Sequence, residues 1–217
     1  MSQEIVDGQL SLNRGTAAEI IDPDTPILKV GPVSGRECGS CSLCCRLLKV
    51  IELDKPENVW CKHCRPGNGG CTIHDERPQI CRGYFCGWRL SSGVGDEWYP
   101  AHCHMVLSIA MINGMKTVSV TVDPAYPLAW REPPYHKQLK NMATHGLRVN
   151  KPEDIHIVHV RARGRVWLVL PDREVEITTC NYLIKLKAPG VWDVETFANE
   201  GEVQARVAAL SASRHGA

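Results

Sequence analysis

Between Lys116 and Asp123 apolar and polar positions alternate strictly, with Val118, Val120 and Val122 on one side and Thr117, Ser119 and Thr121 on the other. A period of two is that of a strand with one buried face. The apolar run from Met105 to Ile112 predicts its partner, with Asn113-Gly114 as the hairpin turn. A second group of strands is predicted over Ile155 to Arg161 and Val166 to Leu170, joined around Arg163-Gly164. After a turn at Pro171-Asp172 it continues into Val175 to Ile177. Tyr135, Leu139 and Met142 recur at helical spacing and mark one face of a short helix that Gly146 would close. Val203, Val207 and Leu210 mark another, from Val203 to Ser211.

Elsewhere the periodicity fades. Residues 1–34 hold isolated Ile5, Ile20 and Ile27 among polar residues and Pro23, Pro26 and Pro32, which reads as an arm. Residues 35–100 read as a loop-rich, cysteine-cluster metal module, 101–182 as an antiparallel α+β unit, and 183–217 as a C-terminal helical tail. The expected fold class is therefore α+β: the loop-rich module packed against a small antiparallel sheet with a few short helices.

Charge narrows the function. The 217 residues carry 25 Lys+Arg against 24 Asp+Glu, a net charge of +1. Coating nucleic acid or an anionic membrane needs a positive surplus, so neither is expected as a partner. A basic recognition helix of the zinc-finger type is also missing. The opening MSQEIVDGQL has no basic region followed by an apolar run. The longest apolar stretch, about Val106 to Ile112, falls short of the roughly 18 residues of a membrane span. A soluble, cytoplasmic protein is expected.

Cysteine is the outlier. Of 11 cysteines, Cys38, Cys41, Cys44, Cys45, Cys61, Cys64, Cys71, Cys81 and Cys86 crowd into one segment, leaving Cys103 and Cys180 outside. Disulfides suit exported chains, and an odd total with close C-x2-C steps favours knuckles around a metal instead. A C-x2-C turn brings two sulfurs to one ion, and two such pairs complete a tetrahedral zinc site. Cys61 and Cys64 form such a knuckle. Cys38, Cys41 and Cys44 follow the C-x2-C-x2-C run that wraps three corners of a cubane iron–sulfur cluster in bacterial ferredoxins. Cys45 follows at once, and adjacent cysteines normally point apart, so Cys44 and Cys45 are not expected to close the same site; Cys45 is expected to join Cys86 in a second site or to stay free. Zinc and iron–sulfur centres share thiolate ligands, and the triple run tilts the reading toward a [4Fe–4S]-type cluster, with zinc as the alternative.

The run C38-G-S-C41-S-L-C44-C45-R46, with C71-T-I-H74-D-E-R77-P78-Q-I-C81-R82, resembles the bacterial zinc- or iron-chelating CxxCxxCC domain family, the YkgJ-like cysteine-cluster proteins. The resemblance covers about residues 36–90. It carries over Cys38, Cys41, Cys44, Cys45, Cys71 and Cys81 one by one, with Cys61 or Cys64 where the family has an intervening cysteine. His74 departs from the family's tyrosine, which leaves it either a ligand or an aromatic substitute. The family implies metal binding. A similar pattern in flagellin lysine N-methylases implies, more remotely, a methyl-transferring enzyme.

Around the cysteines, Pro78 pushes Arg77 out of helical geometry and sets the approach to Cys81. Arg36, Arg46, Arg65, Arg77, Arg82 and Arg89 either offset thiolate charge or form a solvated surface. Gly67, Gly69 and Gly70 read as a tight reversal. Trp60 and Trp88 are expected to shield the cluster, with Trp98 and Tyr99 continuing the lid. His102 and His104 would share one face of an extended strand as edge residues, with ligation as the alternative. His63 is expected to point away from the ion. Asp123 reads as a turn-initiating residue ahead of Pro124, and Asp172 and Glu174 as turn and solvent-face residues. No catalytic constellation emerges, so whether the chain is an enzyme stays open. Three readings follow: an iron–sulfur protein with a redox, sensing or accessory role toward a protein partner; a structural zinc module for protein–protein interaction; and a metal-dependent methyl-transferring enzyme.

Overall fold

A computed structural model describes residues 5–6, 9–12, 32–67, 70–112, 115–148, 156–179 and 181–215. The fold is α+β. Strands β1 (Ile5–Val6) and β2 (Gln9–Leu12) come first, followed by three short helices of the cysteine module: α1 (Leu43–Leu47), α2 (Gln79–Gly83) and α3 (Gly87–Leu90). Helix α4 (Pro100–Cys103) leads into β3 (Met105–Ile112) and β4 (Met115–Val122), then α5 (Tyr135–Arg148), β5 (His156–Ala162), β6 (Arg165–Val169) and β7 (Glu174–Ile177). The chain ends in β8 (Tyr182–Ala188), β9 (Val191–Thr196) and α6 (Glu200–His215).

Strands β3 to β7 form one sheet in sequence order. The predicted alternation of β4 holds in burial from Val118 onward, with Val120 and Val122 0% and 2% exposed, whereas Thr117 on the polar side is also buried. The sheet is mixed, because β4 and β5 run parallel while the other neighbours are antiparallel. This corrects the expected antiparallel sheet. The segment between β4 and β5 carries α5, long enough to return the chain to the starting end of the sheet, as a parallel pair requires. Gly146 does not close α5, which runs on through it to Arg148. Arg163 and Gly164, at φ +53° and +73°, make the tight turn between β5 and β6. The Asn113-Gly114 turn and Cys180 lie outside the described residues.

The second sheet has the order β1-β2-β8-β9. It corrects two expectations. Part of the N-terminal arm is a strand, with Leu10 opposite Ile184. The first part of the helical tail is the β8–β9 hairpin, and the helix occupies Glu200–His215. Alternation in Tyr182, Ile184 and Trp192 carries this hairpin's apolar face onto Ile157, Leu168 and Ile177 of the first sheet.

The cysteine module grips the β3 edge of the first sheet from both sides. On one face Trp88, Val94 and Trp98 join Leu107, Val120, Leu139 and Ala143. On the other, Leu43 and Leu47 of α1 pack on Val106. Successive side chains of a strand point to opposite faces, so Val106 and Leu107 hold the two halves of the module apart across one strand.

Candidate metal centre

The first cysteines sit on a turn and a short helix. Cys41 N–H donates to the Cys38 carbonyl at 2.8 Å, closing the C-x2-C turn. Gly39 takes φ +52°, a left-handed position that suits glycine. Helix α1 then places Leu43 and Leu47 four apart on its buried side. Cys41, Cys44 and Cys86 pack against that same small core with Tyr84. Cys86 immediately precedes α3, and its carbonyl accepts from Arg89 and Leu90 N–H. Cys38 is exposed, with Arg89 Nη1 3.9 Å from its sulfur and the Tyr99 hydroxyl donating to its carbonyl at 2.7 Å.

The remaining cysteines of the cluster gather on the far side of α1. Cys61 N–H donates to the Cys45 carbonyl at 3.0 Å, and Cys64 N–H closes the knuckle on the Cys61 carbonyl at 3.0 Å. Cys64 and Cys71 face each other in an isolated antiparallel bridge. The chain between them reverses at Gly67 and Gly70, both at positive φ, with Arg65 N–H on the Gly70 carbonyl at 3.3 Å. The reversal read from the glycines is present at Gly67 and Gly70, and Gly69 lies outside the described residues. Pro78 stands at the start of α2 with Arg77 extended before it (ψ 143°), so Cys81 is presented one turn into the helix.

The neighbouring Cys44 and Cys64 thiols favour the Cys45 thiolate and hold its pKa well below the ordinary thiol value, helped by the charges of Lys55 and Arg77 and against the cost of burial. Cys44 moves the other way, because its neighbour Cys45 and its burial both favour the neutral thiol. Burial pushes Cys41, Cys81 and Cys86 up, and takes Cys64 up to about 11. Cys103 is buried in the sheet core, donates to the Trp98 and Met105 carbonyls, and is pushed up to about 12 by burial. It is a structural thiol.

Lys55 went unnoticed in the sequence. It is 5% exposed, and its ammonium donates to the carbonyls of Arg46 (3.0 Å), Leu48 and Pro56 (2.9 Å). Burial lowers its pKa, while the neighbouring thiols of Cys61, Cys45 and Cys44 favour its charge. The only sequence signal was its place ahead of Pro56, in a loop closed by the Val50–Lys55 bridge.

Other expected roles are redistributed. Arg36 clamps the Trp88 and Ser91 carbonyls and Asp96, and lies over the Trp88 ring. Arg46 pairs with buried Asp123 at 2.7 Å and lies over Trp60. Asp123 also accepts from Ala125 N–H at 2.9 Å, so its turn role is present and a module-to-sheet tie is added. Arg82 binds the Arg77 and Asp75 carbonyls. Of these guanidinium groups, Arg77 and Arg89 stand beside thiols. Glu174 is no solvent-face residue, since it bonds His136 at 2.9 Å and Lys140 at 3.0 Å.

The aromatic lid is half right. Trp88 and Tyr99 meet edge to face at 4.8 Å beside Cys38, but Trp98 belongs to the sheet core against Tyr135, and Trp60 is 40% exposed. The strand expected for His102 and His104 is instead helix α4 with a left-handed cap at His104. Helix geometry separates the two rings, so His102 meets Tyr99 while His104 stacks on Tyr126 at 3.6 Å. His74 pairs with Asp75 at the surface.

Nine free thiols thus come from five segments of the module, two of them on α1. Their chemistry fits a soft, thiolate-bound metal. Among the described residues, no three His, Cys, Asp or Glu side chains are drawn together closely enough to form a finished ligand set. No helix among them is long and apolar enough to cross a membrane. Comparison with protein-family models, curated proteins and solved structures finds no match.

Proposed function

We propose that this chain is a cysteine-liganded metalloprotein of the reducing cytoplasm, holding an iron–sulfur cluster at Cys38, Cys41, Cys44 and Cys86 and serving redox transfer, sensing or maturation of a protein partner. One observation carries the reading: Cys41 and Cys44, from the C-x2-C-x2-C run, share a small apolar core with the distant Cys86. Three thiolates from one run and a fourth from elsewhere is the donor arrangement of a cubane cluster. Such a cluster supplies one-electron chemistry, and its potential follows from burial and from hydrogen bonds to sulfur. Here the chain contributes the Cys41 turn, the apolar wall of Leu43, Leu47 and Val106, and the Arg89 guanidinium beside Cys38. The resemblance to CxxCxxCC proteins supports metal binding and is silent on reaction.

The zinc reading retains support from the Cys61–Cys64 knuckle, closed by its own backbone bond. The deciding experiment is metal and acid-labile sulfide content, with an absorption spectrum, on protein purified without air or chelator. The expected result is a brown protein with iron and sulfide in matching amounts. A colourless protein carrying only zinc would replace the cluster with a structural adaptor, and a chain free of metal would end both readings.

A further inference from the structure

We propose that the nine thiols form two metal sites meeting at Cys44 and Cys45: the cluster site of Cys38, Cys41, Cys44 and Cys86, and a second, mononuclear zinc-type site among Cys45, Cys61, Cys64, Cys71 and Cys81. The inference rests on the reading of this module as a metal module and adds the number of sites and their membership.

The two groups hang on different parts of the fold. The first is built into the sheet core through Leu43, Leu47, Val106 and Tyr84. The second is held by local backbone bonds: the Cys61–Cys64 turn, the Cys64–Cys71 bridge and the start of α2. Its main tie to α1 is the Cys61 N–H on the Cys45 carbonyl. Neighbour relations divide the same way. Cys86 stands near Cys38 and Cys41, whereas Cys81 stands near Cys45, Cys61 and Cys71.

The spacing of the donors along the chain differs as well. A knuckle joined by single cysteines from two further segments is how tetrahedral zinc is bound, and zinc takes four thiolates. Either four-ligand centre alone would leave more than half of these thiols unused. Lys55 and Arg77 lie on the Cys45 side, where the second set of thiolates would concentrate negative charge. Cys44 and Cys45, one residue apart on α1, form the border.

The test is anaerobic titration of the full chain with Co(II), read by its thiolate charge-transfer absorption. The wild-type chain is expected to take two equivalents. The double variants Cys38→Ser/Cys86→Ser and Cys64→Ser/Cys81→Ser are each expected to take one, with circular dichroism confirming the fold. One equivalent in the wild type, or loss of all cobalt from a folded double variant, would overturn the division and leave metal binding standing. No cobalt in the wild type would overturn both. A readout without variants is maleimide labelling of wild-type protein at sub-stoichiometric Zn(II). Protection in two blocks, split between Cys44 and Cys45, supports the proposal, and uniform protection of all nine thiols refutes it.

Discussion

Lys55 shows how one side chain can hold a helix end and a charge balance together. The last carbonyls of a helix have no partner within it, and here those of Arg46 and Leu48 are taken by the Lys55 ammonium, together with that of Pro56. Burying an ammonium is costly unless it is fully hydrogen-bonded and near negative charge. Three carbonyls supply the first condition, and the neighbouring Cys45, whose pKa is held low, the second. Lys55→Met should therefore destabilise the protein by about 2–3 kcal/mol, since buried acceptors lose a charged donor. Urea unfolding of the variant against the wild type measures this, and an unchanged midpoint would show that water replaces the ammonium at no cost.

At the scale of elements, contacts between neighbours set the tolerances. Helix α3 lies so close to β3 that a methyl group on Gly87 would sit 2.0 Å from Leu107 Cδ2 and 3.2 Å from the Leu107 carbonyl oxygen. Gly87→Ala should cost about 1–3 kcal/mol through overpacking, and because Cys86 is the adjacent residue, iron content should fall with stability. Metal analysis beside thermal unfolding tests both. The two sheets are joined by His159 of β5, 2.7 Å from the Tyr182 hydroxyl of β8. Burial, with Arg161 nearby, lowers the His159 pKa from 6.5 to about 4. The unfolded chain therefore binds the proton first. Stability is full above about pH 6.5 and falls by about 2–3 kcal/mol as the pH drops toward 4. His159→Phe should flatten that part of the stability–pH curve, and an unaltered curve would assign the loss to other groups.

For the whole molecule, the module's two halves have unequal support. Residues 84–107 share the core of the five-stranded sheet through Trp88, Val94, Trp98 and Leu107. The described residues of 58–82 contribute no member to any of the three buried clusters. Where apolar burial is missing, bound metal is expected to supply the folding free energy. Chelation of the metal-loaded protein should therefore raise amide exchange strongly over 58–82, weakly over 84–107, and hardly at all in β4, β5 and β6. Hydrogen-exchange mass spectrometry resolves these segments. Equal deprotection of all of them would mean that the metal organises the entire fold.

The elements that local pattern encodes were legible. The alternation of Val118, Val120 and Val122 marked β4, the Arg163-Gly164 turn joined β5 to β6, and Arg77-Pro78 set the non-helical approach of the chain to Cys81. These depend on side-chain period and on backbone stereochemistry, which travel with the sequence. Hidden from the sequence was everything that depends on which segment meets which. The parallel pairing of β4 with β5 was one such case, and the β8–β9 hairpin under the sheet was another. So were the Lys55 cap and the Arg46–Asp123 tie. The meeting of Cys44 with Cys86 belongs here too: the two are far apart in sequence but pack on one small apolar core. Such contacts between distant residues follow from how apolar faces are buried together, and only the assembled tertiary structure decides them.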